Sequence, residues 1–241
     1  MNTLEGKIRA SIVIPAYQEG ESIIPVLERI QESVSISYEC IVVVDFKEDS
    51  TVNFVTSFSK IYPQFRVIVN DKARGPAYAI RKGFEVSAAP IVVVTMADGS
   101  DDARVIDQLV RLVERGVKVA AASRYMPGGQ QVGAGKLKSM LSKYAGKSLK
   151  WFASIGTHDA TNSFKAYDAE FVRKAKIDSQ HGFEIGLELT AKARRLRLPI
   201  AEVPTIWLER DIGESRFQVG KWLPHYLAWY LFAYGKSNSY E

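Results

Sequence analysis

Apolar runs and helical periodicities alternate along the first half of the chain. Five short runs rich in Val, Ile and Ala are typical of buried strands. They cover 10–14, 39–44, 66–69, 91–95 and 117–122. Between them, apolar residues recur at helical spacing, as Ile23, Leu27 and Ile30 do. Repeated strand–helix alternation with short connections predicts an α/β fold, in which helices flank a mostly parallel sheet.

The pattern is less regular in the second half. A glycine-rich loop follows Ser123, and a helix is predicted from Leu137 to about Ala153. Further predictions are strands at 161–167 and 200–208 and a helix at 183–198. The last segment, 218–241, is predicted to be an amphipathic helix attached to a domain that spans 1–217.

Three carboxylates follow the apolar run at 91–95, namely Asp98, Asp101 and Asp102. In open α/β sheets, ligands collect beyond the carboxyl ends of the strands. Asp98 is therefore predicted to ligate Mg²⁺ or Mn²⁺, which are hard cations that prefer oxygen. Asp102 stands just before a predicted helix, so capping of that helix is its competing interpretation.

The composition is that of an ordinary soluble globular protein, with 46% hydrophobic and 24% charged residues among 241. The formal net charge of +5 suits an anionic ligand, a nucleic acid or an anionic membrane without selecting among them. The basic residues lie among carboxylates and form no known nucleic-acid motif, so no nucleic acid is expected. The single cysteine, Cys40, lies in an apolar strand pattern, which predicts a buried thiol and excludes a disulfide framework.

Two basic segments have open interpretations. The predicted helix at 137–153 carries Lys136, Lys143, Lys147 and Lys150 on one face, which is either solvated or in contact with phosphate. The segment 218–236 mixes Trp, Tyr and Phe with Lys, a composition that favours either the membrane–water interface or packing on the domain's own core. No stretch reaches the ~20 apolar residues of a spanning helix, so an integral membrane protein is not expected.

Seven blocks of sequence occur in the order and at the spacing of a known family. They are SIVIPAYQE at 11–19, Asp45 with DST at 49–51, KARGPA at 72–77, AD at 97–98, SRY at 123–125, DATNSFKAY at 159–167, and EVP at 202–204 with RDIGESR at 210–216. On these blocks the chain resembles the family-2 glycosyltransferases of GT-A fold. The last two blocks are similar to those of the polyprenyl-phosphate (dolichyl-phosphate) mannose or glucose synthases. Met96 stands where the family has the first aspartate of its DxD metal motif.

The resemblance implies roles for particular residues. Those expected to bind the nucleotide-diphosphate sugar donor, GDP-mannose or a UDP-sugar, are Pro15, Tyr17, Glu19, Asp45 and Lys72. Those expected to hold Mg²⁺ or Mn²⁺ are Asp98, Ser100 and Asp101. Those expected to bind the acceptor's phosphate are Arg124, Lys143 and Arg210, and Ser215 and Arg216 complete the substrate-binding set. Of these, Asp98, Arg124 and Arg210 are the predicted catalytic residues.

The reaction implied is the inverting transfer of a hexose to the phosphate of a polyprenyl or dolichyl phosphate. A phosphate oxygen is ionised near pH 7 and needs no general base, whereas a hydroxyl acceptor would need one. Glu184 and Asp211 are candidates for such a base, although Glu184 is expected to face solvent on its helix.

Partners and location follow from the same resemblance. A lipid acceptor implies peripheral contact with the cytoplasmic face of the membrane, and a homodimer is left open. Two alternatives also remain open at this point. One is a glycosyltransferase that acts on a glycan or a small-molecule hydroxyl. The other is a non-catalytic nucleotide-sugar-binding module, which Met96 suggests.

Overall fold

The structure, a computed structural model, describes residues 7–133, 136–209 and 219–235. Its strands are β1 (Ala10–Pro15), β2 (Tyr38–Val44), β3 (Phe65–Val69), β4 (Ile91–Val94), β5 (Val119–Ser123), β6 (Gln130–Val132), β7 (Lys165–Asp168), β8 (Ile200–Pro204) and β9 (Ile206–Leu208). Its helices are α1 (Ile24–Ser33), α2 (Thr51–Ser59), α3 (Pro76–Val86), α4 (Ile106–Glu114), α5 (Lys136–Ala153), α6 (Ala169–Lys174), α7 (Ile185–Arg195) and α8 (Val219–Ala233). Short 3₁₀ turns precede α1 and α4.

A seven-stranded sheet lies at the centre, in the order β3-β2-β1-β4-β7-β5-β8. All neighbouring strands are parallel except β7, which runs antiparallel to both β4 and β5. The predicted α/β fold with a mostly parallel sheet is confirmed. Because β7 is reversed, its first residue, Lys165, pairs with Val94 at the end of β4 and with Ala121 near the end of β5. The turn before Lys165 therefore lies at the carboxyl edge of the parallel strands.

Helices cover both faces of this sheet, as alternation along the strands requires. In β1, Ile12 and Ile14 belong to one core cluster and Val13 belongs to another on the opposite face. Gly83 of α3 lies so close to Val13 that a Cβ on this glycine would overlap the valine side chain. Cys40 is buried in β2 and free, as its apolar surroundings predict.

Two parts of the second half differ from prediction. The single strand predicted at 200–208 is two strands, because the chain pairs with β5 only as far as Pro204 and with β6 from Ile206 onward. Strand β9 therefore leaves the main sheet and pairs with β6, which lies in the loop predicted to be irregular. The short helix α6 was not predicted; the Asp168 carboxylate caps it by accepting a hydrogen bond of 2.8 Å from the Phe171 amide.

The aromatic helix α8 packs on the domain along one side. Ala233 is fully buried, and Trp229 and Tyr230 pack against the apolar residues Leu149 and Leu187 of α5 and α7. Of the two interpretations of this segment, packing on the domain is confirmed for this side. None of the helices among the described residues combines the length and apolarity needed to cross a membrane. The predicted boundary at 217 lies outside the described residues and stays a prediction.

Candidate active site

Several strand ends meet at one edge of the sheet, and the predicted site residues follow them. Asp45 comes directly after β2, Asp98 follows β4 and Arg124 follows β5. The turn at 157–164 joins them because β7 is reversed. The structure thus brings the donor, metal and acceptor residues predicted in these segments to the carboxyl edge, where ligands of α/β proteins bind.

Asp45 organises the loop that leads into α3. Its Oδ2 accepts a hydrogen bond of 2.8 Å from the Gly75 amide, and its Oδ1 accepts one of 3.2 Å from Asn70 Nδ2. Gly75 has a φ of +122°, a conformation that residues with a Cβ rarely adopt. Asp45 therefore positions this loop at the carboxyl edge of the sheet through the backbone of Gly75.

The segment at 15–19 is tied to the start of α2. The Gln18 amide donates to Asp49 Oδ2 at 2.9 Å, and the Glu19 amide donates to Thr51 Oγ1 at 3.0 Å. These bonds join the SIVIPAYQE block at 11–19 to the DST block at 49–51. Pro15 ends β1 directly before this segment.

Three side chains beside it form an aromatic and cationic surface. The Tyr17 ring meets Phe46 edge to face with centroids 5.9 Å apart, and the Arg74 guanidinium lies 5.2 Å from the Phe46 centroid. Sequence reasoning did not assign Phe46 or Arg74 to the site. Phe46 directly follows Asp45, and this position next to a predicted donor residue was the available signal.

The two described lysines that were predicted to bind substrate, Lys72 and Lys143, are exposed. Lys72 Nζ is 2.9 Å from Glu85 Oε2 of α3, and both side chains are about half exposed. Such exposed pairs contribute little to stability, at most about 1 kcal/mol. Lys143 is exposed on α5. Arg210, Asp211, Ser215 and Arg216 lie outside the described residues.

The loop after β4 holds buried oxygen atoms that lack partners. Asp98 Oδ1 accepts a hydrogen bond of 3.0 Å from the Ser100 amide. Asp101 Oδ2 accepts from Thr95 Oγ1 at 3.0 Å and from the Met96 amide at 3.1 Å. Ser100 Oγ and Asp101 Oδ1 are buried and have no hydrogen-bond partner among the described residues. Burial, and secondarily the charge of Asp98, raises the pKa of Asp101 to about 7.

These atoms suit a hard cation, because buried polar groups normally have a partner. Within the described ranges, no three His, Cys, Asp or Glu side chains come together to form a complete metal site. Mg²⁺, however, is commonly held by one or two carboxylates together with phosphates of the substrate. Asp98, Ser100 and Asp101 fit that arrangement. Asp102 instead accepts a 3.1 Å hydrogen bond from the Arg104 amide, which confirms its role as a cap.

Arg124 and Asp159 form a buried ion pair at the end of β5. The guanidinium donates from Nε to Asp159 Oδ2 at 2.7 Å and from Nη2 to Asp159 Oδ1 at 2.9 Å. The Asp159 side chain is fully buried and that of Arg124 is 11% exposed. Although burial opposes its charge, Asp159 raises the pKa of Arg124 well above its usual value. The rings of Tyr125 and Trp207 lie 5.0 and 6.0 Å from the guanidinium carbon.

A second carboxylate, Glu202 of β8, fixes the turn that carries Asp159. Its Oε2 accepts from the His158 amide at 2.8 Å and from Thr157 Oγ1 at 3.1 Å, and Thr157 Oγ1 in turn accepts from the Asp159 amide at 3.0 Å. Its Oε1 accepts from Lys150 Nζ at 2.8 Å. Burial raises the pKa of Glu202, but hydrogen bonds from Lys150 and His158 outweigh it and lower the pKa to about 2.

Lys165 holds the other end of the same turn. Its buried ammonium group donates to the carbonyls of Ala160 at 2.8 Å, Asn162 at 2.5 Å and Gly186 at 3.1 Å. Burial lowers its pKa to about 7. Sequence reasoning assigned no role to Glu202 or Lys165, although both lie in blocks shared with the family.

The expectation that Glu184 faces solvent is wrong. Helix α7 begins at Ile185, so Glu184 is its N-cap. The Glu184 residue is only 1% exposed. Its Oε1 accepts a hydrogen bond of 3.1 Å from the His181 amide. Its Oε2 is buried without a partner among the described residues. A helix that starts here turns its first side chains toward the domain, which periodicity alone did not predict.

Comparison with known proteins identifies the family. The sequence profile described as glycosyl transferase family 2 matches residues 11–175. That range contains β1 to β7 and the turn that carries Asp159. The chain belongs to glycosyl transferase family 2. It is therefore a glycosyltransferase, and the resemblance seen in the sequence is confirmed.

Characterised relatives are enzymes of lipid-phosphate mannosylation. The dolichol-phosphate mannosyltransferase of Pyrococcus furiosus is 29% identical over 91% of this chain, which spans 62% of that relative's length. The polyprenol monophosphomannose synthase of Mycolicibacterium smegmatis is 26% identical over 89% of this chain and 86% of its own. The undecaprenyl-phosphate mannosyltransferase of Micrococcus luteus is 29% identical over 88% of this chain and 89% of that relative's length.

Solved structures share the fold. Glucosyl-3-phosphoglycerate synthase from Mycobacterium tuberculosis, in complex with Mn²⁺, UDP and phosphoglyceric acid, superposes with a TM-score of 0.66 at 18% identity, covering 96% of this chain and 80% of its own. The mannosyltransferase PcManGT from Pyrobaculum calidifontis, in complex with GDP-Man and Mn²⁺, superposes with a TM-score of 0.65 at 19% identity. The match covers 95% of this chain and 66% of PcManGT. The predicted GT-A fold class is confirmed.

Proposed function

We propose that this glycosyltransferase transfers a hexose from a nucleotide-diphosphate sugar to the phosphate of a polyprenyl phosphate. The observation that carries the proposal is the buried Arg124–Asp159 pair at the strand edge, beside the loop of Asp98 and Asp101. Asp159 holds the guanidinium through Nε and Nη2, and Nη1, which has no hydrogen bond among the described residues, is suited to donate to an anionic phosphate oxygen. Three relatives that act on polyprenyl-type phosphates or make their mannosyl derivatives support the same reading.

On the donor side, Asp98, Ser100 and Asp101 would hold Mg²⁺ or Mn²⁺. When bound, the cation neutralises negative charge that develops on the leaving diphosphate. Both solved neighbours named above contain Mn²⁺. The Tyr17–Phe46–Arg74 surface offers an aromatic face to the nucleotide's base. Asp45 positions the loop beneath the ribose.

On the acceptor side, Arg124 orients the phosphate so that one oxygen faces the anomeric carbon of the sugar. That oxygen forms a bond to the anomeric carbon while the bond from this carbon to the diphosphate breaks, which inverts the configuration. The phosphate is already ionised, so no group of the chain has to remove a proton. Lys143, Arg210, Ser215 and Arg216 remain predicted contacts of the acceptor.

We propose GDP-mannose as the first donor to test and a UDP-sugar as the second. The expected location is the cytoplasmic face of the membrane, with peripheral contact, and a homodimer stays an untested prediction. A hydroxyl acceptor is the second candidate function, because the Glu184 carboxylate is buried with an oxygen unpartnered among the described residues, as a base held in a pocket would be.

The test is transfer of radiolabelled hexose from GDP-mannose or UDP-glucose to a short-chain polyprenyl phosphate with Mn²⁺. Label in an acid-labile, solvent-extractable product is the expected result. Asp98→Asn should abolish transfer, whereas the matched variant Asp102→Asn, which alters a helix cap and the ion pair with Arg104, should retain it. Label found only in sugars or other hydroxyl acceptors would contradict the proposal, and nucleotide binding without any transfer would support a non-catalytic module.

A further inference from the structure

Glu184 occupies the N-cap position of α7 without capping the helix. Its side chain makes no hydrogen bond to the amides of the first turn. Its Oε1 accepts instead from the His181 amide, and its Oε2 is buried without a partner among the described residues. Buried polar atoms normally have a partner. This oxygen, in a residue that is 1% exposed, is therefore suited to a group supplied by a ligand.

The segment around Glu184 lies between the loop before α3 and the turn at 157–164. On one side, a Cβ on Gly75 would lie 3.4 Å from the His181 carbonyl oxygen, so the two backbones are in contact. On the other side, the Gly186 carbonyl accepts a hydrogen bond of 3.1 Å from Lys165 Nζ, which also binds carbonyls of the turn. The carboxylate thus comes from a segment that contacts both the donor side and the acceptor side of the proposed site.

Electrostatic effects relate the Glu184 carboxylate to Arg124. Burial, and secondarily the charge of Glu184, raises the pKa of Tyr226 in α8, whereas the charge of Arg124 opposes this shift. Because such effects weaken with distance, both charges lie near the Tyr226 hydroxyl. Glu184 is therefore on the same side of the domain as the guanidinium assigned to the acceptor phosphate.

This position restricts what the carboxylate can bind. Transfer requires the anomeric carbon to lie between the leaving diphosphate and the attacking oxygen, so the hexose lies between the donor residues and Arg124. A carboxylate supplies only acceptor atoms and repels phosphate, so neither the diphosphate nor the lipid phosphate suits it. Within the described ranges it also joins no cluster of metal-ligating side chains. The hydroxyl groups of the hexose suit it, because they donate hydrogen bonds and bonds to a charged group are strong.

We propose that Glu184 binds a hydroxyl group of the transferred hexose and so contributes to the choice of sugar. Oε2 accepts this hydrogen bond, while the bond from the His181 amide to Oε1 fixes the side chain. A sugar that lacks or inverts the hydroxyl leaves a buried carboxylate oxygen unpaired, which strongly disfavours that sugar. The inference rests on the proposed function for the hexose donor and does not depend on the acceptor.

The test compares a free nucleotide with the same nucleotide carrying its sugar. Calorimetry with Mn²⁺ and no acceptor is performed for GDP and GDP-mannose, and for UDP and UDP-glucose. Glu184→Gln should weaken binding of the nucleotide sugar by about tenfold or more. Its affinity for the free nucleotide should stay unchanged. Asp168→Asn is the matched control, because Asp168 is the N-cap of α6 at the opposite edge of the sheet, and it should leave both affinities unchanged.

A second measurement identifies the hydroxyl group. Among nucleotide sugars that each lack one hydroxyl, the native chain should bind one about tenfold or more weakly than the complete donor. Glu184→Gln should bind this deoxy donor and the complete donor equally, because the interaction is already lost. A native chain that binds every deoxy donor as tightly as the complete donor would contradict the proposal.

The outcomes also separate this role from the others. Unchanged affinity of Glu184→Gln for the nucleotide sugar, together with loss of transfer to a hydroxyl, would assign Glu184 as a base and overturn the proposal. Equal loss of affinity for the free nucleotide would overturn it too, because the substitution would then act on the fold of the donor site. No transfer from the native chain to a polyprenyl phosphate would overturn the proposed function alone, since these binding measurements contain no acceptor.

Discussion

Asp159 binds the guanidinium of Arg124 through two parallel hydrogen bonds of 2.7 and 2.9 Å, and it also accepts the Arg124 amide at 3.0 Å. These bonds engage Nε and Nη2. No hydrogen bond among the described residues involves Nη1. The arginine is thus oriented before any ligand arrives, which reduces the entropy lost when a phosphate binds.

Arg124→Lys should lower kcat/KM for the polyprenyl phosphate by about tenfold to a hundredfold, because a lysine ammonium cannot keep both parallel bonds to Asp159 and also present a donor to the phosphate. Most of the effect should fall on the KM for the acceptor. Calorimetry with GDP and Mn²⁺ should show unchanged donor-side affinity. Arg104→Lys, at an exposed pair with Asp102, is the matched control and should leave both values unchanged. Equal loss of GDP affinity in Arg124→Lys would contradict an acceptor role.

Ser100→Ala should separate metal binding from folding. Without metal, removal of a buried hydroxyl that lacks a partner should leave stability unchanged or raise it by about 1 kcal/mol. With Mn²⁺ and GDP, the variant should show a smaller rise in Tm than the native chain, because one ligand is missing. Ser179 Oγ is likewise buried and unpartnered among the described residues, so Ser179→Ala is the matched control. Its rise in Tm with Mn²⁺ and GDP should equal that of the native chain. An undiminished metal response in Ser100→Ala would remove Ser100 from the metal site.

Glu202 should control stability in acid. Its pKa is about 2 in the folded chain and near 4.5 when unperturbed, so the unfolded state binds more protons between these values. Its stabilisation is therefore complete above about pH 4.5 and is lost as the pH falls toward 2. Glu202→Gln should reduce the free energy of unfolding at pH 7 and flatten its decline in this window, as measured by urea titration at several pH values. Glu114→Gln, which affects an exposed pair with Arg9, should change the curve much less. An identical acid limb in Glu202→Gln would exclude this role.

Phe46→Ala should weaken binding of GDP and UDP by about fivefold to tenfold, because aromatic contacts are worth about 1 kcal/mol beyond buried area. Calorimetry without acceptor measures this effect. Loss of acceptor affinity with unchanged nucleotide affinity would show that the nucleotide's base does not bind at Phe46.

Much of the fold was predictable because the runs around Ile12, Cys40 and Val93 are long enough to identify buried strands. The reversed direction of β7 was not, since a four-residue strand carries no sign of its orientation. The ribbon of β6 and β9 forms only through tertiary pairing, and Gln130–Val132 alone has no strand pattern. In the site, Asp98 and Arg124 stood at strand ends and in known blocks. Glu202 and Lys165 act on backbone groups of a turn, and such contacts leave no periodic signature.

The reversed strand β7 also separates the residues proposed to bind the donor from those proposed to bind the acceptor along the chain. The donor-side loops connect parallel strands near the N-terminus, whereas the acceptor turn at 157–164 hangs between α5 and β7 and is secured by Glu202 and Lys165. Exchange of this segment between related enzymes should therefore change acceptor affinity through the position of Arg124, while donor affinity stays with the recipient. Under the proposed function, the donor contacts and the acceptor contacts thus depend on different segments of the chain.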